Sequence, residues 1–339
     1  MLENVTVIIP AHNRPNRLQR LIDYYSNTGI QILIPDSSDR KFTGRLEAPG
    51  ITYIHRPRMH FFNKIHEVLP LIDTDYVLYC ADDDFTVPAA IKQITDFLDA
   101  NPDYSIAQGH YLTFTPQGDK ISFSPRYIRN FDNRITGSDA MDRMMHEKGM
   151  YASMLYGVTR SDIFKRIYSY CFDETGNMRF SNLFLAEEFF NHAVLIHGKY
   201  ATLPCFYSAR ERIKGSATET TIPVSVIKNS PKYADEYNGF IRALALMLAE
   251  HDGIATDEAE KRIRLVSSCP KASGSVTFKR KVNQILSSHK VFAPLAQLSE
   301  WRYHQKGLKA VKHLPSYPCT FSTPEKEEII RAIHSQPLD

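Results

Sequence analysis

Three aspartates in a row, Asp82, Asp83 and Asp84, follow the apolar run YVLYCA at 76–81. Adjacent carboxylates raise one another's proton affinity unless a cation offsets them. A divalent ion of the Mg²⁺ or Mn²⁺ kind suits such hard oxygen ligands, and it in turn binds phosphate oxygens. The triplet therefore points to a metal bridging a diphosphate. The competing account, a solvated turn at a strand end, is ordinary for one aspartate and weak for three.

The elements around the triplet alternate between strand and helix. VTVII (5–9) is a β-branched run ended by Pro10, and QILI (31–34), ITYI (51–54) and YVLYCA read as further strands. Between them, RPNRLQRLIDYYSN (14–27) places Leu18, Leu21, Ile22 and Tyr25 on one helical face, and a second helix is expected over about 62–72. Another helix starts at Pro88. Short strand–helix alternation implies a Rossmann-like, mostly parallel sheet with helices on both faces. In such sheets ligands bind beyond the carboxyl ends of the strands. Pro10–Asn13, Asp36–Asp39 and Asp82–Asp84 all fall at those ends, so one crevice should gather them.

Further on, strands are expected at 105–114, 154–159 and 200–208. Helices are expected over 137–148 with Ser138 as cap, from Ser161, and over 182–198. From about 225 the strand signal fades and the chain turns helical and basic. The predicted organisation is an α/β domain over 1–224 and a helical, basic region over 225–339.

Composition bounds the rest. The 339 residues are 43% hydrophobic and 23% charged, as in globular proteins, and a net charge of +3 does not announce a nucleic-acid binder. The five cysteines are scattered with no CxxC pair, which argues against a disulfide framework or zinc cluster and for a reducing compartment. No apolar run approaches the ~20 residues of a spanning helix. The opening residues read as a first strand rather than a signal peptide. The expected location is cytoplasmic.

VTVIIPAHNRPNRLQRLIDYY, ILIPDSSDR (32–40), YVLYCADDDFTVPAAI (76–91) and FLAEEFF (184–190) occur in that order. Together they resemble the bacterial glycosyltransferase family 2 type of GT-A nucleotide-sugar transferases over about 1–210. The resemblance implies a GT-A fold and transfer of a sugar from a nucleoside diphosphate, UDP being expected, to an acceptor hydroxyl. It implies that Pro10, Ala11, His12 and Asn13 line the nucleotide base and that Asp36 meets it. Where the family often has Thr and Tyr, this chain has Ala11 and His12, and Pro35–Asp36–Ser37 departs from the commoner two aspartates and a glycine. Within the triplet, Asp82 or Asp83 would contact ribose and Asp84 the metal. Arg58 and Lys64, with Asn63 between them, are the nearest matches to an Arg-Asn pair that would face the diphosphate. AEEFF matches the family's Glu-Asp pair, which makes Glu188 the expected general base, with Glu187 beside it, and inversion the expected stereochemistry. SARERIKGSATET (208–220) matches a mobile loop whose Arg210, Arg212 and Lys214 would clamp the diphosphate; a solvated basic loop is the alternative.

Residues 270–315 hold nine Lys or Arg against one acid, Glu300, with a lone Trp301 on an amphipathic face. Such a surface suits either peripheral contact with an anionic membrane, where a glycan or lipid-linked acceptor would be met, or a solvated helical appendage. Bacterial surface polysaccharide or glycan assembly is the setting the resemblance suggests. Two other readings stand against transfer. A GT-A-like nucleotidyltransferase would want a glycine-rich loop after strand one, and PAHNRPNRL has none. A non-catalytic nucleotide-sugar-binding module would more readily have lost one of the two acidic clusters.

Overall fold

The structure is a computed structural model. It describes residues 2–127, 133–149, 153–213 and 221–269, and near the C-terminal end residues 305, 308–309, 311–319 and 321–337. The basic segment 270–304 therefore lies outside the described residues, as do 214–220.

Strands β1 (Val5–Ile8), β2 (Gln31–Asp36), β3 (Ile51–His55) and β4 (Tyr76–Tyr79) pair in parallel in the order β3-β2-β1-β4. Beyond β4 the sheet becomes mixed. The short strand β9 (Val158–Arg160) runs antiparallel to both β4 and β6 (Tyr104–Gln117), and β6 lies parallel to β10 (Lys199–Glu211). Strand β5 (Phe85–Thr86) closes the row, antiparallel to the end of β10. Three strands had no sequence signal: β5, β7 (Lys120–Arg126), a hairpin partner of β6, and β8 (Arg134–Ile135), which pairs with β10. The expected strand at 154–159 shrinks to Val158–Arg160, because the chain turns at Met154–Gly157 before it meets β4.

Side chains alternate across the pleat, so each strand feeds two cores. Val5, Val7 and Ile9, with Leu78 and Cys80, face one side, where α1 (Pro15–Tyr25) and α3 (Pro88–Ala100) pack. Ile8, Leu33, Val77 and Tyr79 face the other, under α2 (Phe61–Val68), α5 (Ser161–Ser169) and α6 (Leu183–His197). Each such side chain, fully buried, contributes about 1.5–3 kcal/mol. The cap of α4 (Ala140–Gly149) is Asp139, whose carboxylate accepts from Asp142 N at 2.8 Å, rather than Ser138.

The described C-terminal residues are built into these layers. Phe240, Leu244 and Leu248 of the helix Ala234–Asp252 join the core beneath α6, and the helix Thr256–Ser268 packs against its outer side. Contact is close at Gly239, where a Cβ would stand 1.7 Å from the Arg179 carbonyl oxygen, so only glycine fits. The helix Pro324–His334 returns to α1, burying Ile329 and Ile333, and Tyr317 stacks on His110 at 4.2 Å.

Candidate active site

The loops after β1, β2 and β4 do meet. Ala11 bridges Asp36 in parallel register, Ser37 N donates to the Ala11 carbonyl at 3.1 Å, and His12 N donates to Asp82 Oδ2 at 3.0 Å. Asn13, at a left-handed φ of 54° that asparagine tolerates, exchanges hydrogen bonds with Asp39 and takes the Ser38 hydroxyl as acceptor at 2.7 Å. His12 and Asn13 are exposed at the rim, with His12 Nδ1 3.1 Å from Ser37 Oγ.

Three expected ligand contacts have other partners. Asp36 is buried, with one oxygen accepting from Ser38 N and Oγ and the other from the Tyr53 hydroxyl at 2.7 Å. Lys64 is buried too; its Nζ donates to the Ala11 carbonyl and to Ser37 Oγ, each at 3.0 Å, and cross-braces the first two loops from below. Burial lowers its pKa to about 8, although Asp82 and Asp36 pull the other way. Arg58 stands at the surface, 84% exposed along its side chain, and pairs with Asp39 at 2.9 Å.

The acidic triplet is neutralised by arginines of the chain itself. Arg14 Nη1 lies 2.9 Å from Asp82 Oδ1 and 3.5 Å from Asp83 Oδ2. Arg210 Nε donates to Asp84 Oδ2 at 2.7 Å, and Glu211 N donates to Asp84 Oδ1 at 3.0 Å. Even so, burial raises Asp82 to about 6 and Asp84 to about 7, the Asp83 charge adding to the effect and the arginines opposing it. Asp83 is the least buried of the three. Arg210 therefore sits on the last turn of the pleat in β10, not on a loop, and its guanidinium also lies 4.1 Å from the Tyr156 ring centre. Arg212, just past β10, is exposed; Lys214 lies outside the described residues.

Helix α6 brings the second acidic pair to the same end of the sheet. Asn182 caps it by accepting from Phe184 N and Leu185 N, and Glu236 accepts from the Ser181 and Asn182 amides at 2.6 Å each. The helix Ala234–Asp252 thus fixes where α6 begins. Glu188 is buried, its Oε1 2.9 Å from Lys148 Nζ. Glu187 is half-buried and lies near Tyr156; burial raises that phenol's pKa to about 12, Arg210 opposes the rise, and the charges of Glu187 and Asp84 add to it.

Sequence reasoning missed Arg14, Lys148, Tyr156 and the buried Arg17–Arg20–Glu211 cluster. Only the arginines had a visible signal: RPNRLQR repeats a basic residue every third position, a stripe along one side of α1.

The strand ends thus gather an acidic triplet and cationic side chains, with Glu187 of α6 near Tyr156 beside them, in an α/β fold. Residues 6–165 match the family model described as Glycosyl transferase family 2. Two solved structures resemble the chain in fold. S. aureus TarS 1–349 in complex with UDP-GlcNAc is 14% identical, covering 85% of this chain and 80% of that one, with a TM-score of 0.51. The same protein in complex with UDP is 13% identical over the same shares, with a TM-score of 0.48. No curated protein matches the chain in sequence. Over residues 6–165 the chain is thus similar to glycosyl transferase family 2, and its fold is of the GT-A kind with a helical C-terminal region.

Proposed function

We propose that the chain transfers a sugar from a nucleoside diphosphate, UDP in the first instance, to an acceptor hydroxyl with inversion. The observation that carries this reading is the meeting of the 10–13 and 36–39 loops with Asp82–Asp84 and Arg210 in one crevice. His12 and Asn13 at the rim are placed to flank a base, and the buried Asp36 and Lys64 shape that rim from beneath. Asp82, tied to His12 N, is the acid nearest the base side, where a ribose would lie. TarS, whose fold is similar, is described in complex with UDP and UDP-GlcNAc, which agrees with a uridine donor.

The donor set fits Mg²⁺ or Mn²⁺. Among the described residues no three acid, histidine or cysteine side chains form a cage by themselves. Magnesium bound by one or two carboxylates and completed by phosphate oxygens is the arrangement that suits such a site. Asp84 would hold the ion by giving up Arg210, with the more exposed Asp83 beside it. Bound there, the ion would supply Lewis-acid neutralisation of the departing diphosphate. Arg210 and Arg14, freed from the carboxylates, are then the cations within reach of the phosphates. On the acceptor side, Glu188 is the base: as a carboxylate held 2.9 Å from Lys148 Nζ, it would take the hydroxyl proton during in-line attack.

Surface polysaccharide or glycan assembly is the setting proposed, with a glycan or lipid-linked acceptor, a cytoplasmic location and peripheral membrane contact through 270–315. Among the described residues no helix is long and apolar enough to cross a membrane. Thermal-shift screening of nucleotide sugars with and without Mn²⁺ tests the donor assignment. A UDP-sugar should raise the melting temperature most, and only with the metal; stabilisation by a different nucleotide, or none by any, refutes it.

A further inference from the structure

Arg17 and Arg20 point away from solvent, into the space between α1 and the end of β10, and meet one acid. Arg17 Nη2 and Nε donate to Glu211 Oε1 and Oε2 at 2.7 and 3.1 Å, and Arg20 Nη2 donates to Oε2. All three side chains are less than a tenth exposed. Arg20 Nη2 also donates to the Asp83 carbonyl at 3.0 Å, while its guanidinium lies over the Phe85 ring at 5.1 Å. Glu211, for its part, donates its amide to Asp84 Oδ1 at 3.0 Å. The cluster thus grips the triplet twice, once at the Asp83 backbone and once at the Asp84 carboxylate.

Burying three charges is costly, and packed apolar side chains would hold α1 to β10 about as well. What apolar side chains cannot do is donate to the Asp83 carbonyl, as Arg20 does, while tying that donor through Glu211 to the strand end whose backbone amide meets Asp84. We propose that Arg20 and Glu211, braced by Arg17, are positioning residues that set the acidic triplet for the donor diphosphate from behind. The inference rests on the donor reading above. It makes the triplet's geometry a property of helix α1 and the β10 end, fixed before any ligand arrives. Neither residue touches substrate; both act through Asp83 and Asp84, and the neighbouring Arg210 shares the β10 end they immobilise. A site misplaced by about 1 Å loses on the order of 10²-fold in rate, so a bracket of this kind has functional weight.

Two variants test it. Glu211→Gln keeps the shape and removes the charge; Arg20→Lys keeps the charge and cannot span Glu211 and the Asp83 carbonyl together. Hydrogen exchange followed by mass spectrometry reads peptides over 81–86 against peptides over β6. In both variants exchange at 81–86 should quicken about tenfold or more while β6 keeps its protection. Calorimetry should show UDP with Mn²⁺ binding about tenfold more weakly, with uridine affinity within about twofold, since the base-side loops are braced separately by Lys64. Unchanged protection at 81–86, or a loss spread equally into β6, overturns the proposal. If the wild type takes neither UDP nor uridine, the donor reading falls, and the exchange experiment still decides whether these residues position the triplet.

Discussion

Glu188→Gln separates the structural role of one side chain from the catalytic role proposed for it. As the partner of Lys148 at 2.9 Å in a buried setting, Glu188 stabilises the packing of α4 against α6. Removing one member of a buried pair costs about 3–5 kcal/mol, because the other charge is left without compensation. The glutamine carbonyl can still accept from Lys148, so the lower end applies. The shift is roughly 2–4 °C per kcal/mol for 150–250 residues and smaller for a longer chain, so a fall of about 4–6 °C in melting temperature is expected. As general base, the same carboxylate should contribute about 10²–10⁴ in turnover, or roughly 2.7–5.4 kcal/mol of barrier. Turnover is measured well below the variant's melting temperature, with donor affinity taken by calorimetry. Glu188→Gln should bind donor as the wild type does and lose at least about a hundredfold in kcat. The double variant Lys148→Met/Glu188→Leu should recover the stability and none of the turnover, since an apolar pair replaces the ion pair without a stranded charge. Turnover within tenfold of wild type in Glu188→Gln refutes the base assignment and moves attention to Glu187, whose half-buried carboxylate lies near Tyr156 on the same helix.

Asp84→Ala should abolish metal-dependent UDP binding in calorimetry. It also strands Arg210, so a stability loss of about 3–5 kcal/mol should accompany it, and unchanged affinity with Mn²⁺ present removes Asp84 from the metal site. His197 lies half-buried beside His251, and burial lowers its pKa to about 4 from an ordinary 6.5. The native state then binds fewer protons than the unfolded state between those values, so stability should drop as pH falls from about 6.5 towards 4. Urea midpoints should show His197→Phe with a flatter profile across that window; an unaltered slope refutes the linkage. Neutralising Lys279, Arg280 and Lys281 together should weaken sedimentation with anionic liposomes if 270–315 is a membrane contact, each charge near the surface contributing about 1 kcal/mol. Deleting 270–339 would be a poorer test, because Tyr317, Ile329 and Ile333 belong to the core under α1.

Much of the scaffold was legible because its signals are local. The β-branched runs, Pro10 and Pro88, and the apolar face of RPNRLQRLIDYY fix strand and helix by period and breaker alone, and the crevice follows from where the parallel strands end. The mixed half was less legible: β5, β7 and β8 are short or lack strong alternation, and their pairing with β6 and β10 depends on partners far away in sequence. Within the site, the kinds of residue were readable and their partners were not. Asp36, Lys64 and Arg210 were each expected to meet a ligand, and each also has a protein partner that sequence spacing cannot reveal.

That pattern has a physical source. On the proposed reading the crevice holds a diphosphate, which calls for acids and cations together, and those charges must be stabilised before the ligand comes. Asp82–Asp83 with Arg14, Asp84 with Arg210, and Glu188 with Lys148 satisfy that requirement from within the chain. The pairs are unequal in exposure: Arg14 retains 26% of its side-chain surface and Arg210 16%, against 9% and 1% for Arg17 and Arg20. On the proposed reading, exchange with a ligand falls to the first two and not to the last two. The triplet would then be held from behind by Arg20 and Arg17 through Glu211 and neutralised in front by Arg14 and Arg210, so that three adjacent carboxylates are both ordered and available.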